Sequence, residues 1–377
     1  MSEFGRSGRS GRSGRSGRSG RSGRSGRSGE GELFDHAGGE SSSLLSAALT
    51  VTHDGIAGFW DGTATNAVKD KLGSEDHEIL YLRYSTRGLM LDHELFGSLG
   101  VSGGYGHAQI IGRDPVVPDA THPSVAQPHL TIRRPTRDMF KAQLKYLRSY
   151  ADLRDDRLPE INLQQEDILS FYGAIGLLDD QRRLRTLELL EATVRFAIHI
   201  EIMVKHFCRA PRPIDYAPEV QPIVQTPDHS SFPSGHATEA FAVATVMHRL
   251  MTGEGPKDGV VKRAQVFRLA NRIAVNRTVA GVHFPVDSAA GALLGCRLGE
   301  HIYDLAKGSD PEPEMEFVPN SDGEHKEGKF NCEKDFDLDW LASSLPDSVA
   351  KGGGARSDIL EEFWTLADAE WPKASAP

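Results

Sequence analysis

No uninterrupted apolar run in this 377-residue chain reaches the ~18 residues of a membrane-spanning helix, so no span is expected. The longest candidate, FAIHIEIMV (196–204), is broken by His199 and Glu201 and reads as a buried helix. Cysteine is scarce: Cys208, Cys296 and Cys332 show neither metal nor redox spacing, and their odd number argues against a disulfide framework. Positive charge is short as well, with 43 Lys and Arg against 53 Asp and Glu and a net charge of −10. Eight arginines sit in the first 28 residues, in a GRS triplet repeat, which leaves 35 basic against 52 acidic residues in the rest of the chain. An acidic body argues against nucleic acid as the main partner. Any anion bound here must be held by local cations working against the global field.

What is present suits a globular protein: 38% hydrophobic and 25% charged residues. Residues 1–29, low in complexity and rich in Gly, Arg and Ser, read as a disordered linker or tag. Residues 30–135 read as an irregular N-terminal extension. Within it GVSGGYGHAQIIGRDPVVPDATHP (100–123) is loop-like, and its glycines do not fit the GxGxxG of a nucleotide site. From about 136 the period turns helical, as in the steps Phe140, Leu144, Leu147 and Ala151. Further helices fit 160–178, a long one opened by Asp179-Asp180 and running to about 207, then 235–252, 259–278 and 286–306. Alternating strands are lacking between 136 and 306, so the expectation is an all-α protein with a catalytic helical bundle over 136–306. Residues 307–377 form an acidic extension expected to pack on the same domain, with a short amphipathic piece at 357–371. The chain is expected to be soluble. No signal peptide is visible, but the repeat stands where a targeting segment would, which leaves the compartment open.

Within that bundle, cations fall where a core is expected. Lys205 continues the step Val194, Ile198, Ile202, and Arg277 continues Phe267, Ala270, Ala274. A cation on a core stripe must reach solvent along its own stem or find an anion. Arg212 follows seven residues after Lys205, between Pro211 and Pro213, which end the helix and stiffen its exit. PSGH (233–236) then opens a helix. Ser234 could simply cap it, but the free N–H groups of Gly235 and His236 also suit an anion. In NRTVAGVHFPVD (276–287), His283 and Asp287 are four apart and Pro285 suits a first helical turn. A carboxylate at that spacing can hold one imidazole nitrogen and leave the other basic. Three long cations, a hydroxyl, backbone donors and two histidines together suit a tetrahedral oxyanion.

The run KHFCRAPRP, then PSGH, then NRTVAGVHFPVD resembles the three-part signature shared by vanadium-dependent haloperoxidases and type-2 phosphatidic acid phosphatases, with Asn276 where serine is common. The resemblance covers about 205–287 and implies a bundle with a four-helix core. It implies that Lys205, Arg212, Ser234, Gly235 and Arg277 hold the oxygens of the bound group, with His236 as acid/base. His283 would be the vanadium ligand or the nucleophile on phosphate, oriented by Asp287. The motif alone does not separate the two chemistries. The small soluble phosphatases of the family lack extensions as long as these, and His229, seven residues before His236, resembles the histidine of the bromide-oxidising haloperoxidases. That implies resident pentavalent vanadate, with hydrogen peroxide, bromide or iodide, and a small organic acceptor as partners, in a homo-oligomer. The alternative is a soluble phosphatase with a phosphohistidine intermediate. A zinc site built from His229, His236, His283 and Asp287 is disfavoured, because three surrounding cations would repel the metal.

Overall fold

The computed structural model describes residues 43–56, 59–64, 79–112, 128–309, 313–323, 325, 328–347 and 354–372. The expected linker at 1–29 and the stretch 113–123 lie outside them. The described chain opens with helices α1 (Ser43–Ile56) and α2 (Tyr84–Ser98) and strands β1 (Leu99–Gly104), β2 (His107–Gly112) and β3 (Pro128–Arg133). Helices α3 (Arg137–Tyr150), α4 (Arg154–Gln164), α5 (Leu169–Gly176) and α6 (Leu184–Cys208) follow, then the single turn α7 (Pro213–Tyr216). Next come α8 (Gly235–Thr252), α9 (Pro256–Val261), α10 (Gln265–Val279) and α11 (Pro285–Lys307). The chain closes with β4 (Met315–Asn320), β5 (Lys329–Asn331), α12 (Leu338–Ser344) and α13 (Asp358–Asp368).

Helix α8 is the axis of the bundle, packed by α6, α10 and α11. Its sequence, GHATEAFAVATVMHRLMT, is apolar on nearly every side, as a helix enclosed by others must be. The α8–α11 contact is closest because α11 presents Gly291, Gly295 and Gly299 to it. A β-carbon on Gly291 would sit 2.5 Å from the Ser234 carbonyl oxygen, and one on Gly295 2.3 Å from that of Thr238. Side chains there would force the helices apart. One apolar core runs from Ile79 to Trp371 and so includes both flanking extensions.

The protein is mostly helical, but the all-α expectation needs correction. A five-stranded mixed sheet, in the order β1-β2-β3-β4-β5, lies beside the bundle. Strands β1, β2 and β3 are antiparallel, while β4 joins β3 in parallel at Leu130↔Met315, and β5 extends it in parallel. The stretch read as loop from residue 100 is in fact a hairpin turning at Tyr105-Gly106, where Gly106 has φ 88°. Its glycines are needed for close cross-strand approach: a β-carbon on Gly103 would lie 2.4 Å from the His107 carbonyl oxygen. The sheet also steadies the bundle. Gly106 N–H donates to Phe207 O at 3.0 Å, and Arg134 Nη1 donates to Cys208 O at 3.1 Å, pinning the end of α6. Phe317 of β4 packs on Phe232, just ahead of α8, with ring centroids 5.8 Å apart.

Other expectations shift in detail. The 259–278 helix is two, α9 and α10, parted at Arg263 with φ 53°, and the 160–178 helix is α4 and α5. The α10 stripe of Phe267, Ala270, Ala274 and Arg277 is buried throughout. The α6 stripe is not: Ile198 and Ile202 are 41% and 42% exposed, although Lys205 is only 1% exposed. That face dips into the protein only at its C-terminal end, where the loop before α8 covers it.

Candidate active site

Four helix ends meet at one place. Lys205 stands in the last turn of α6, Arg277 in the last turn of α10, Ser234 and Gly235 at the start of α8, and His283 and Asp287 at the start of α11. Pro285 is the first residue of α11 and fixes the chain's entry to that helix. The start of α8 presents backbone N–H groups and a positive dipole end to this volume, whereas the first turn of α11 is satisfied: Pro285 has no N–H and Val286 N–H donates to Gln143 Oε1 at 2.9 Å. Lys205, Arg212, Ser234, Arg277, His283 and Asp287 are all buried. The structure therefore brings together the residues that the sequence scattered over 83 positions, Lys205 to Asp287 counted inclusively.

The cations are held by backbone carbonyls. Lys205 Nζ donates to Pro233 O at 2.5 Å and to Ser230 O at 3.4 Å, which leaves a third N–H. Arg212 Nε donates to His229 O (3.2 Å), Nη1 to Val282 O (3.0 Å) and Nη2 to Ser230 O (3.3 Å). Asp215 Oδ2 accepts from the Arg212 backbone N–H at 2.8 Å and fixes the turn that carries it. Arg277 Nη2 donates to Ile161 O and Gln164 Oε1, each at 3.2 Å, while its Nε has no hydrogen-bond partner. Carbonyls orient these cations without cancelling their charge. Burial lowers the pKa of all three, taking Arg277 to about 10.

His283 sits between Asp287 and Arg212. Its Nδ1 lies 3.1 Å from Asp287 Oδ2 and its Nε2 3.1 Å from Arg212 Nη1. A guanidinium only donates, so Nε2 carries the lone pair and Nδ1 the proton. Burial first, then Arg212 and Lys205, holds the imidazole well below the ordinary histidine range, so it is neutral. With one nitrogen given to a carboxylate and the other to a guanidinium, this ring is arranged against binding a bare cation. Asp287 Oδ2 also accepts from Phe284 N–H at 3.0 Å and from Ser231 Oγ at 2.5 Å. Burial raises Asp287 to about 6, against the pull of these donors and of Arg212 and Lys205.

His236, in the first turn of α8, feels Arg277, Lys205 and Arg212. Burial and then Arg277 push it down to about 3, while the Gln164 backbone carbonyl pulls the other way. Ser234 could have been a plain helix cap, yet its side chain makes no cap bond and its buried Oγ has no partner. An orphaned hydroxyl, the free Arg277 Nε and the third Lys205 N–H are donors that fit the oxygens of a tetrahedral anion. His229 is half-buried. Its Nδ1 lies 3.2 Å from Arg212 Nη2, and its carbonyl accepts from the same guanidinium, so its visible part is to hold Arg212.

Sequence reasoning missed Ser231 and Gln164. Ser231 lies between His229 and the PSGH run, but only the fold shows that it donates to Asp287. Gln164, 1% exposed at the end of α4, accepts from Arg277 and from Asn276 Nδ2 (3.0 Å). Asn276 also donates to Glu160 Oε2 at 3.1 Å and accepts from Arg157 Nη1 at 2.9 Å. The residue that departs from the usual serine thus ties α10 to α4.

Comparison with known proteins separates the two chemistries. Residues 186–309 match the family described as the PAP2 superfamily. The decaprenylphosphoryl-5-phosphoribose phosphatase of Mycobacterium tuberculosis is 35% identical over 141 residues, 37% of this chain and 71% of the relative. A protein of Arabidopsis thaliana named as probable lipid phosphate phosphatase beta is 35% identical over 113 residues, 25% of this chain and 53% of its own. Among solved structures, a transmembrane PAP2-type phosphatidylglycerolphosphate phosphatase from Bacillus subtilis aligns over 44% of this chain and 85% of that one. Its identity is 20% and its TM-score 0.33, too loose a likeness to argue from. Among the described residues no helix is long and apolar enough to cross a membrane. The relatives are named as phosphatases, and this overturns the expectation of a bromide-oxidising vanadium haloperoxidase, an oxidoreductase. The motif, the meeting of four helix ends around it and the 35% identity over most of a phosphatase's length lead to one statement: this chain belongs to the PAP2 superfamily.

Proposed function

We propose that this chain is a phosphatase that hydrolyses a phosphate monoester through a phosphohistidine on His283. The observation that carries the reading is the His283 ring itself, with Nδ1 on Asp287 and the Nε2 lone pair facing Arg212. A neutral, oriented imidazole beside buried cations is a nucleophile aimed at a phosphoryl centre. The Arg212 Nη1–H that lies on Nε2 would turn to a phosphoryl oxygen as the substrate enters. Lys205, Arg277, Ser234 Oγ and the Gly235 N–H would take the others and the charge that grows on them.

In the first step His283 Nε2 bonds to phosphorus and the ester P–O bond breaks. The leaving oxygen takes a proton from His236, whose low proton affinity rises once a dianion stands beside it. Asp287 balances the charge left on the phosphorylated imidazole. In the second step water attacks phosphorus, the P–N bond breaks, His236 takes the water's proton and inorganic phosphate is released. Both half-reactions balance without an oxidant or a metal. The relatives' names point to phosphate esters carried on lipids, and a lipid phosphate is the substrate class to try first. Vanadate, expected from the sequence as a resident cofactor, becomes a mimic of the five-coordinate phosphoryl group and therefore an inhibitor.

The test is phosphate release from p-nitrophenyl phosphate by the purified chain in a chelator, with and without added vanadate. Release that vanadate inhibits and that His283→Ala abolishes supports the reading. Release that survives in His283→Ala refutes it.

A further inference from the structure

The reaction just described makes no use of Glu201. This acid lies on α6 one turn before Lys205, is 6% exposed, and has no hydrogen-bond partner for Oε2. Its carboxylate presses on the first residue of α8: a β-carbon on Gly235 would lie 2.4 Å from Oε1 and 2.9 Å from Oε2. A side chain at 235 would have to push the Glu201 carboxylate aside, so glycine is what lets the acid lie against this turn. Gly235 is also the residue whose N–H is placed to take a phosphoryl oxygen, so a buried acid stands at the wall of an anion cradle.

The charged groups that act on Glu201 come from three elements. Lys205 on its own helix and Arg212 beyond α6 favour its ionisation, and Glu239 on α8 opposes it. His236, beside Gly235, is neutral and adds no charge. Burial outweighs the cations and raises the Glu201 carboxyl to about 8. A neutral carboxylic acid beside a phosphate is a donor; an ionised one is a like charge at short range.

We propose that Glu201 makes anion binding at this site proton-linked: a phosphate-class dianion enters together with one proton from solvent, carried on Glu201 as the neutral acid, and the ionised carboxylate excludes it. The proton leaves again with the anion, so no net acid or base is consumed per turnover. This inference rests on the phosphatase reading of the site. It explains why a cradle built of cations keeps an unpaired acid in its wall.

The experiment is calorimetric titration of the full chain with inorganic phosphate from about pH 7.5 to about pH 9.5, where the ligand is mostly a dianion, in buffers of differing ionisation enthalpy. The wild type should take up close to one proton per phosphate at the alkaline end and lose about tenfold in affinity per pH unit there. At the alkaline end, where His236, held down to about 3 in the free protein, stays neutral even beside the anion, Glu201→Gln should abolish both the proton uptake and the slope. Lys205→Arg, which keeps its charge at these pH values, should retain both. Uptake near zero in the wild type overturns the proposal without recourse to a variant. A slope that persists in Glu201→Gln and vanishes in Lys205→Arg overturns it in favour of Lys205. Should the wild type bind phosphate at no pH, the phosphatase reading fails first and the linkage falls with it. Should it bind with no pH dependence, only the linkage fails.

Discussion

Replacing Gly291 by alanine tests whether the α8–α11 contact sets the geometry of the site. The new methyl would stand 2.5 Å from the Ser234 carbonyl oxygen, 2.9 Å from the Ala237 β-carbon and 3.2 Å from the Thr238 nitrogen. Two of the three obstacles are backbone atoms of α8, so no side chain can swing aside. Restoring ordinary contact at the oxygen requires the helices to part by about 1 Å. Overpacking of this kind costs about 1–3 kcal/mol, and the better helix propensity of alanine returns up to about 1 kcal/mol, so a net loss of roughly 0–2 kcal/mol is expected. The catalytic effect should exceed what that suggests. The displaced carbonyl belongs to Ser234, whose N–H is bonded to Asp287 O at 2.9 Å and whose neighbours are Gly235 and His236. A misplacement of about 1 Å in such a constellation costs on the order of 100-fold in rate. Gly299→Ala is the control. Its β-carbon would meet the Thr245 β-carbon at 2.6 Å, two turns further along the same contact and away from the site. Thermal unfolding and kcat on p-nitrophenyl phosphate should show comparable stability losses in the two variants, with kcat reduced strongly only in Gly291→Ala. Equal kcat losses, or an unchanged kcat in Gly291→Ala, would refute the reasoning.

Two further substitutions probe the supporting shell. Asp287→Asn keeps the shape but removes the charge that balances a phosphorylated His283; at about 3–4 kcal/mol for an uncompensated buried partner, kcat should fall about 100- to 1000-fold. In the wild type, activity should rise as pH increases through about 6, as Asp287 ionises, and that acid limb should be absent from the residual activity of Asp287→Asn. An acid limb in the same place in both proteins would assign it elsewhere. Gln164→Leu strips the acceptor from Arg277 and Asn276, leaving two buried donors short of a partner at about 1–3 kcal/mol each. KM should rise roughly tenfold as Arg277 loses its orientation. A KM unchanged beside a lowered Tm would reduce Gln164 to a structural part.

The site was far more legible in the sequence than its surroundings. Lys205, Arg212, Arg277, His283 and Asp287 could be grouped because each breaks a local rule: a cation on an apolar stripe, an arginine between prolines, a histidine four residues from an acid. The entries to α8 and α11 were marked by Pro233, Ser234 and Pro285. By contrast the hairpin of β1 and β2 was hidden by the glycines that make it possible, since Gly103 and Gly106 look like loop residues until a partner strand is beside them. The break between α9 and α10 at Arg263 carries neither proline nor glycine to announce it. Ser231, Gln164 and Glu201 matter only through what faces them across the fold: Asp287, Arg277 and the bare backbone of Gly235. Such pairings have no spacing to read. The chemistry was misjudged for a related reason. The motif describes how an oxyanion is held, and phosphate and vanadate are held alike.

The phosphatase reading stands or falls on His283 Nε2 as the atom that accepts the phosphoryl group. Rapid quenching into alkali during turnover of a phosphate ester, followed by proteolysis and mass spectrometry, tests it directly, because phosphohistidine survives base. A phosphoryl group is expected on the peptide carrying His283, lost in His283→Ala and longer-lived in Asp287→Asn relative to its rate of formation. Turnover with no phosphorylated peptide at any quench time, or a phosphoryl group on His236 or His229 instead, would contradict it.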